Sequence, residues 1–325
     1  MLETFLPGLS DVCAAAMRIR DHLHRTPLVP TRTLSEWTGC QLFLKCENLQ
    51  KTGSFKPRGG INRIATLSDE ARQRGVITIS AGNHAQGVAY AACAMGVSAV
   101  VVMPETATAS KVAATRDYGA ECILHGDVQA AFVKLKEIQE ERNLTLVHPF
   151  DDPLLVAGHG TVGWEIYQQL AEVDAVICGV GGGGLISGIA TAIKALSPNT
   201  RIYGVEPEGA PTMSEAVAAG SPVHLERVET IADGLAPPFV GALNLAVVQQ
   251  SVESIIKVSD DAIRAAMKAL LERTKLLVEP AGAAPLAALL QGRLPFESKQ
   301  RVVVVLSGGN VDVDQLPTLL NAPRP

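Results

Sequence analysis

Lys56 is the residue whose surroundings most clearly predict chemistry. It lies in the segment Ser54-Phe55-Lys56-Pro57-Arg58-Gly59, between an apolar run at 42–44 and a helix expected to begin near Pro57. Proline suits the first position of a helix, and Phe55 supplies an apolar wall beside the lysine. A partly desolvated lysine loses its proton more readily, and the neutral amine can form a Schiff base with an aldehyde cofactor. A lone lysine is usually a solvated surface charge, so the prediction depends on these neighbours.

A run of four glycines, Gly181-Gly182-Gly183-Gly184, separates an apolar strand expected at 174–180 from a helix expected at 185–196. Without Cβ atoms, successive N–H groups can converge on an anion, and the start of the following helix adds the positive end of its dipole. The run is therefore predicted to bind a phosphate, with a flexible turn as the simpler alternative. The dinucleotide pattern G-x-G-x-x-G is satisfied only loosely, and the Gly-Lys-Ser/Thr ending of a P-loop is absent.

The segment Ser80-Ala81-Gly82-Asn83-His84 also joins a strand, expected at 76–79, to a helix. Backbone N–H groups at a helix start suit a carboxylate, and the carboxamide of Asn83 suits a phenolic oxygen. Two local interpretations stay open. Asn83 can serve as an N-cap, and His84 can be a helix-start residue that is hydrogen-bonded to its own neighbourhood.

The segment Ser307-Gly308-Gly309-Asn310 follows the strongest apolar run of the chain, at 302–306. Ser307 can give one hydrogen bond to a ring nitrogen, and the glycines permit the close approach of a ligand. Glu279, before a proline, and Asp233, before a glycine, are weaker candidates. A helix cap or a turn explains each of these two residues at least as well.

The elements that must position these segments alternate between two patterns. Runs that are apolar at every position indicate buried parallel strands: 42–44, 76–79, 99–102, 175–177, 202–205 and 302–306. Ala-rich stretches with helical spacing lie between them: 10–24, 85–95, 128–142, 154–170, 185–196 and 260–273, with Ser10 and Ser259 as expected N-caps. This alternation predicts an α/β fold with mostly parallel sheets. Residues 76–148 are expected to form a smaller lobe, and ligands bind at the carboxyl ends of the strands in such sheets.

The overall composition excludes several classes of protein. The 325-residue chain has 28 Lys and Arg against 33 Asp and Glu, a net charge of −5, and no block of like charge, which argues against nucleic-acid binding. No apolar run reaches the ~20 residues of a membrane span, and residues 1–5 lack the basic region of a secretory signal. The six cysteines form no Cys-x-x-Cys pair and are expected to be reduced, buried thiols. We therefore expect a cytoplasmic protein with no membrane partner.

Taken together, these segments resemble the fold-type II pyridoxal-phosphate enzymes, and among them the threonine/serine dehydratase and serine racemase family. The resemblance runs from Arg25-Thr26-Pro27-Leu28, through 45–56, to Ser307-Gly308-Gly309-Asn310, with the motifs in the family's order. It implies an α/β fold similar to the β subunit of tryptophan synthase, with a small domain inserted in a large one. The large cofactor-binding domain would be 1–67 and 147–325, and the small domain 68–146.

The resemblance also bears on size and assembly. The chain resembles a short threonine dehydratase, because it ends 15 residues after Asn310. The regulatory domain of some threonine dehydratases is therefore not expected. A homo-oligomer, either a dimer or a tetramer, is implied.

The resemblance assigns a role to each segment. It implies that Lys56 holds pyridoxal 5'-phosphate covalently, that Phe55 packs against the cofactor, and that Asn83 bonds its phenolic oxygen. Ser307 would face the pyridine nitrogen, and this neutral partner favours elimination over reactions that need a long-lived carbanion. The phosphate would be bound by Gly181, Gly182, Gly183, Gly184 and Leu185. The substrate carboxylate would be bound by Ser80, Ala81, Gly82, Asn83 and His84.

Two positions depart from the family's pattern. Racemases of the family have a serine on the far face of the cofactor, where this chain has Ala81, which has no proton to give. The family's cation site uses a glutamate, a backbone carbonyl and an aspartate. Glu206 and Ala210 match the first two ligands, and Thr212 stands at the third. A divalent ion, a monovalent ion and an empty site are the alternatives that this leaves.

The expected reaction is the dehydration and deamination of L-threonine or L-serine to a 2-oxo acid and ammonia, with Lys56 taking the α-proton as general base. Alternatives with the same chemistry are lyases of another β-hydroxy amino acid, such as 3-hydroxyaspartate or a hydroxyectoine breakdown product, and then serine racemase. A nicotinamide-dependent dehydrogenase is the alternative from a different class, but it leaves Lys56 and Ser307 without roles. A non-catalytic binding protein is a further alternative, against which an intact Lys56 argues.

Overall fold

A computed structural model describes residues 6–321, so residues 1–5, which argued against a secretory signal, lie outside the described range. In that range ten strands form two sheets. They are β1 (Leu28–Pro30), β2 (Gln41–Cys46), β3 (Val76–Ile79), β4 (Ala99–Met103), β5 (Glu121–Leu124), β6 (Thr145–Leu146), β7 (Ala175–Gly179), β8 (Arg201–Pro207), β9 (Ser254–Val258) and β10 (Arg301–Leu306).

Fourteen α-helices accompany the strands in the same range. They are α1 (Leu9–Ile19), α2 (Arg32–Thr38), α3 (Lys56–Ala65), α4 (Asp69–Arg74), α5 (Asn83–Ala94), α6 (Ala109–Asp117), α7 (Val128–Arg142), α8 (Pro153–Gln169), α9 (Gly184–Leu196), α10 (Thr212–Ala219), α11 (Ala242–Ser251), α12 (Asp260–Thr274), α13 (Pro280–Leu290) and α14 (Leu316–Leu319). Four single 3₁₀ turns lie at Glu47–Leu49, Lys51–Gly53, Asp233–Leu235 and Val313–Gln315.

The larger sheet has the strand order β1-β2-β10-β7-β8-β9, and every neighbouring pair is parallel except β1 with β2. After Arg301, every residue of strand β10 is apolar and buried, because helices cover both faces of the sheet. Val302 and Val304 belong to an apolar cluster with residues of α12 and α13. Val303 and Val305 belong to the cluster on the opposite face, with residues of α8, α9 and α11.

The smaller sheet has the order β5-β4-β3-β6, and all of its pairs are parallel. Its two faces are also covered. Val76 and Val101 pack with residues of α3 and α5 on one face, and Ile77 and Val102 pack with residues of α7 on the other. The α/β fold with two mostly parallel sheets, predicted from the sequence, is confirmed.

The carboxyl ends of both sheets open toward the same cavity. Strand β3 ends directly before Ser80, β7 ends shortly before the glycine run 181–184, and β10 ends directly before Ser307. All three segments line that cavity. The arrangement places the chemistry at the end of the sheets where α/β proteins bind ligands.

The first helix is shorter than the sequence predicts. We expected a helix at 10–24 with Ser10 as the N-cap, but α1 begins after Gly8 and ends at Ile19. The N–H of Gly8 donates to the carboxylate of Asp11 at 2.8 Å, which closes the first turn two residues earlier than a cap at Ser10 would. The other expected cap, at the start of α12, is confirmed, since the Ser259 side chain accepts a backbone hydrogen bond from the first turn.

The cysteines are less uniformly buried than expected. All six are free, and Cys40, Cys46 and Cys178 are buried, but Cys13 and Cys93 are exposed. The prediction of buried thiols is therefore wrong for these last two, which lie on the solvent-facing sides of Ala-rich helices. No helix within residues 6–321 has the length and apolar character needed to cross a bilayer.

Candidate active site

A cavity of about 680 Å³ lies where the two sheets meet. It brings together the segments that the sequence predicted to be functional: Phe55, Lys56, Ser80–His84, Gly181–Leu185 and Ser307. The predicted cation site at Glu206 and Ala210 is not part of its lining. One site thus gathers four strand-end or helix-start segments that are far apart in the chain.

Lys56 is the first residue of α3, and its amine reaches into this cavity. The Nζ atom donates to the carbonyl oxygen of Pro149 at 2.9 Å and lies 5.1 Å from the centroid of the Phe55 ring. Burial lowers the pKa of Lys56 to about 8, and the nearby charge of Glu279 opposes this shift. With that pKa, about one amine in ten is neutral at pH 7, compared with fewer than about one in a thousand for a free lysine.

The glycine run presents backbone rather than side chains to the cavity. Gly183 caps α9 with φ +93°, a conformation that favours glycine. A Cβ on Gly182 would lie 2.3 Å from atoms of the Phe150 ring, and one on Gly184 would lie 3.0 Å from the Phe150 carbonyl oxygen. The N–H groups in the first turn of α9 have no partner within the helix, so they are available to an anion.

Asn83 is held in one orientation by two polar side chains. Its Nδ2 donates to Glu279 Oε1 at 2.7 Å, and its Oδ1 accepts from Asn310 Nδ2 at 2.8 Å. Asn310 Nδ2 also donates to the carbonyl oxygen of Thr52 at 2.7 Å. Asn83 is the first residue of α5, and Gly82 occupies the N-cap position, so the interpretation of Asn83 as an N-cap is wrong. One amide hydrogen of Asn83 is left for the cavity.

His84 makes its side-chain hydrogen bonds within its own neighbourhood. Its Nε2 lies 2.9 Å from Thr78 Oγ1 and 3.2 Å from the carbonyl oxygen of Val147. The ring is buried, and desolvation together with the positive charge of Lys56 holds its pKa well below the usual range. The imidazole is therefore neutral, and the local interpretation describes its side chain. The backbone of His84 at the start of α5 stays available for an anion.

Ser307 is coupled to the lysine segment through the backbone. The N–H of Phe55 donates to the Ser307 carbonyl oxygen at 3.1 Å, and Ser54 forms an antiparallel bridge with Gly308. The end of β10 and the start of α3 therefore hold each other in place. Ser307 is almost fully buried and lines the cavity.

Comparison with known proteins identifies the family. A model of the pyridoxal-phosphate dependent enzymes matches residues 19–308. The chain belongs to this family. Membership confirms the predicted fold type and the predicted cofactor, pyridoxal phosphate, and it decides against the nicotinamide-dependent dehydrogenase.

Individual members of the family are similar over nearly the whole chain. The chain is 46% identical over 304 residues to the L-threonine ammonia-lyase of Geobacter sulfurreducens, covering 93% of this chain and 75% of that protein. It is 40% identical to the L-threo-3-hydroxyaspartate ammonia-lyase of a Pseudomonas species, covering 97% of this chain and 99% of that protein. The structure of maize serine racemase superposes with a TM-score of 0.93 at 39% identity, covering 97% of each chain.

The cavity fits the cofactor of this pyridoxal-phosphate enzyme. When bound, pyridoxal phosphate supplies an aldehyde that an amine can hold covalently and a ring that accepts electrons. Lys56 is the amine in the cavity, the glycine run 181–184 can bind the phosphate through backbone N–H groups, and Phe55 supplies an apolar surface. Ser307 and Asn83 are the hydroxyl and amide groups that remain for the polar atoms of the ring.

In this pyridoxal-phosphate enzyme, the side chains predicted to bind a cation already have hydrogen-bond partners within the protein, and the cation stays a prediction. Both oxygens of the Glu206 carboxylate cap the start of α10, accepting from the N–H of Met213 at 2.6 Å and from the N–H and Oγ of Ser214 at 3.0 and 2.7 Å. Thr212 Oγ1 donates to the carbonyl oxygen of Pro237 at 2.9 Å. Among the described residues, no group of three or more His, Cys, Asp or Glu side chains could hold a metal ion. We therefore derive no step through a cation.

Sequence reasoning missed a buried group of charges that anchors the start of α3. Arg58, two residues after Lys56, pairs with Glu47 at 2.7 Å and with Glu165 at 2.7 Å, and Lys45 pairs with Glu165. Arg58, Lys45 and Glu47 have side chains with no exposed surface. The partner of Arg58 on the other side, Glu165, lies on α8, more than 100 residues away in the sequence. We call these four residues the charge cluster.

Proposed function

We propose that this pyridoxal-phosphate enzyme eliminates the β-hydroxyl group of L-threonine and L-serine and releases a 2-oxo acid and ammonia. The observation that carries the proposal is the position of Lys56 Nζ. It lies in a cavity between two helix starts, 80–84 and 181–185, whose backbone N–H groups can each bind an anion. An amino acid has one carboxylate and the cofactor has one phosphate, so each helix start has a ligand.

Lys56 is the general base of the proposed reaction. Its neutral amine can accept the α-proton of the substrate at Nζ, because burial lowers its pKa to about 8. The carbonyl oxygen of Pro149, 2.9 Å away, is the group that holds the amine when it is not engaged. The proton is thus taken by a group that stays within the cavity and is shielded from water.

Ala81 supports a lyase rather than a racemase. A racemase needs a second proton donor on the face of the cofactor opposite to the lysine. Ala81 lines the cavity in the segment that carries this donor in the racemases that the chain resembles, and its methyl group can neither give nor take a proton. Elimination needs no donor on that face: Lys56 takes the α-proton, and the β-hydroxyl leaves as water once its oxygen receives a proton.

The wall of the cavity supports a small substrate side chain. Phe150, Leu235 and Phe239 line it as apolar groups. Within residues 6–321, Lys56 and Lys111 are the lysines of the lining, and Lys111 forms a solvent-exposed pair with Asp233 at 3.5 Å. A methyl group or a hydrogen on the substrate Cβ suits this wall, whereas a second carboxylate would have to break the Lys111–Asp233 pair or stay unpaired.

A substrate screen tests the proposal. The purified holoenzyme is supplied with L-threonine, L-serine, L-threo-3-hydroxyaspartate and hydroxyectoine-derived β-hydroxy amino acids, and the release of 2-oxo acid and of D-serine is measured. We expect kcat/KM for L-threonine or L-serine to exceed that for hydroxyaspartate by at least about tenfold, since one unpaired carboxylate costs more than about 1.4 kcal/mol. A holoenzyme with its visible cofactor band but no activity on threonine or serine would overturn the proposal, and a preference for hydroxyaspartate would favour that lyase.

We also propose the domain division, the cellular location and the assembly that were predicted from the sequence. The division into a large domain, 1–67 and 147–325, and a small domain, 68–146, is supported by the strands of the smaller sheet, which all lie between residues 76 and 146. A cytoplasmic location is supported by six free cysteines. A homo-oligomer stays a prediction, which size-exclusion chromatography with light scattering would test. The residue roles given above also rest on the resemblance and on the geometry of the cavity.

A further inference from the structure

Asn244, on α11, is a buried polar residue to which no sequence motif pointed. Its side chain has no exposed surface, and its Nδ2 donates to two backbone carbonyls, those of Phe150 and Gly182, both at 2.9 Å. An amide nitrogen carries two hydrogens, so both donors are used. Its Oδ1 is buried and has no hydrogen-bond partner among the described residues. Burying the carboxamide oxygen without a partner costs free energy. The contribution of Asn244 to the structure therefore comes from the two hydrogen bonds that its nitrogen donates.

The contact with Gly182 sets the direction of the next N–H group. In a trans peptide the carbonyl of one residue and the N–H of the next point in opposite directions. The Gly182 carbonyl points toward Asn244, so the N–H of Gly183 points away from it. Gly182 and Gly183 line the cavity and Asn244 does not, which places the cavity on the side to which this N–H points.

The packing leaves this peptide little freedom. Gly183 has φ +93°, and a Cβ built on it would lie 2.6 Å from both Asn244 Cβ and Met213 Cε. The glycine run is thus pressed against α11 at the point where Asn244 donates. The Gly182 carbonyl accepts from Asn244 Nδ2 at 2.9 Å and, more weakly, from the N–H of Gly241 at 3.4 Å. Rotation of the peptide would remove the carbonyl from both donors and place it toward the anion.

We infer that Asn244 is a positioning residue for the cofactor phosphate: it holds the peptide between Gly182 and Gly183 so that the Gly183 N–H faces the cavity. The second hydrogen bond extends this role to the lysine side of the site. By holding the Phe150 carbonyl, Asn244 also fixes the segment in which the Pro149 carbonyl accepts from Lys56 Nζ. The inference rests on the cofactor of the family and not on the proposed substrate.

The test compares two cofactor forms that differ only in the phosphate. Dissociation constants of pyridoxal phosphate and pyridoxal are measured by titrating the full-length apoenzyme and following the visible absorption band. The variants are Asn244→Leu, which removes both donors, and Asn244→Asp, which replaces them with a carboxylate facing two carbonyls. Val248→Ala, a buried position one turn later on α11, is the control for a general loosening of the helix.

We expect the preference for pyridoxal phosphate over pyridoxal to fall about ten- to a hundredfold in both Asn244 variants, with Asp the more severe. Pyridoxal affinity should change less than about threefold, and Val248→Ala should leave the preference within about twofold. Equal weakening of both ligands would assign Asn244 a general packing role and overturn the inference, as would an unchanged preference. If Asp or Leu does not fold, Asn244→Ser, which is smaller and keeps one donor, must show an intermediate loss of preference for the inference to stand.

Discussion

The charge cluster beneath α3 contains two positive and two negative side chains, and its balance can be broken by a single isosteric change. Glu165 accepts from Lys45 Nζ at 2.5 Å and from Arg58 Nη1 and Nη2 at 2.7 and 3.0 Å. Glu47 pairs with the other edge of Arg58. In Glu165→Gln the shape is kept, but the buried cluster then holds two positive charges and one negative charge.

The expected cost is about 3–5 kcal/mol of unfolding free energy, the range for removing one partner of a buried ion pair. Arg58 cannot lose its proton, so Lys45, whose pKa burial already lowers, must relieve the excess charge. A lysine with a folded pKa below its unfolded value binds fewer protons when folded, so stability rises with pH through the window between the two values. The loss of unfolding free energy caused by Glu165→Gln should therefore become smaller as pH rises from 7 toward 10.

Urea unfolding, followed by circular dichroism at several pH values, measures the deficit. Glu137→Gln is the matched control, because Glu137 makes the same kind of pair with Lys134 at 3.0 Å on the surface, with its side chain 57% exposed. Surface pairs contribute about 0–1 kcal/mol, so this control should change little. A cost for Glu165→Gln no larger than that of the control would refute the reasoning. Lys45→Met combined with Glu165→Gln restores neutrality and should recover part of the loss.

The remaining predictions concern the cavity. Lys56→Ala should abolish both turnover and the visible cofactor band while leaving the far-ultraviolet circular dichroism spectrum unchanged. Ala81→Ser should raise the ratio of serine racemisation to elimination, measured by chiral chromatography against 2-oxo acid release. Gly182→Ala, which brings a Cβ within 2.3 Å of the Phe150 ring, should weaken pyridoxal phosphate binding by at least about tenfold, whereas Gly8→Ala, with no atom closer than 3.8 Å, should not. The rate at which apoenzyme captures pyridoxal phosphate should rise with pH and level off above about 8, the pKa of Lys56.

For each of these predictions, one experimental result would contradict the reasoning. Residual turnover above about one thousandth of wild type in Lys56→Ala would place the base elsewhere. An unchanged product ratio in Ala81→Ser would contradict the role given to that face of the cavity. Equal cofactor affinity in the two glycine variants would mean that the loop moves aside at little cost. A capture rate that keeps rising to pH 10 would show an amine with an ordinary pKa.

The candidate site could be predicted where one segment carries its own chemistry. Lys56 between an apolar wall and a proline, and the glycine run between strand and helix, stand out from local sequence, and both line the cavity. Asn244 could not be found this way, since its partner Gly182 is 62 residues away and no spacing links them. For His84 the place in the motif was visible in the sequence, but the hydrogen-bond partners of its ring, Thr78 and Val147, were not.

The strands show most clearly what the amino-acid sequence determined by itself. All six runs that were predicted to be buried strands are strands with neighbours on both sides: β2, β3, β4, β7, β8 and β10. The four strands that were not predicted, β1, β5, β6 and β9, are the edges of the two sheets. An edge strand is covered less completely, so its burial pattern is mixed and its sequence lacks a continuous apolar run.

Tertiary structure alone decided how the predicted segments meet. The sequence placed each candidate at a strand end or a helix start, because apolar periodicity and turn residues are local properties. Which strand lies beside which, and therefore which loops share a cavity, depends on contacts between distant residues. Arg58 and Glu165, 107 residues apart, form one ion pair, and Asn83 and Asn310, 227 residues apart, form one hydrogen bond. Such pairs leave no period in the chain, so only the folded structure could show that the start of α3 is anchored by buried charge and that Asn83 is held in one orientation.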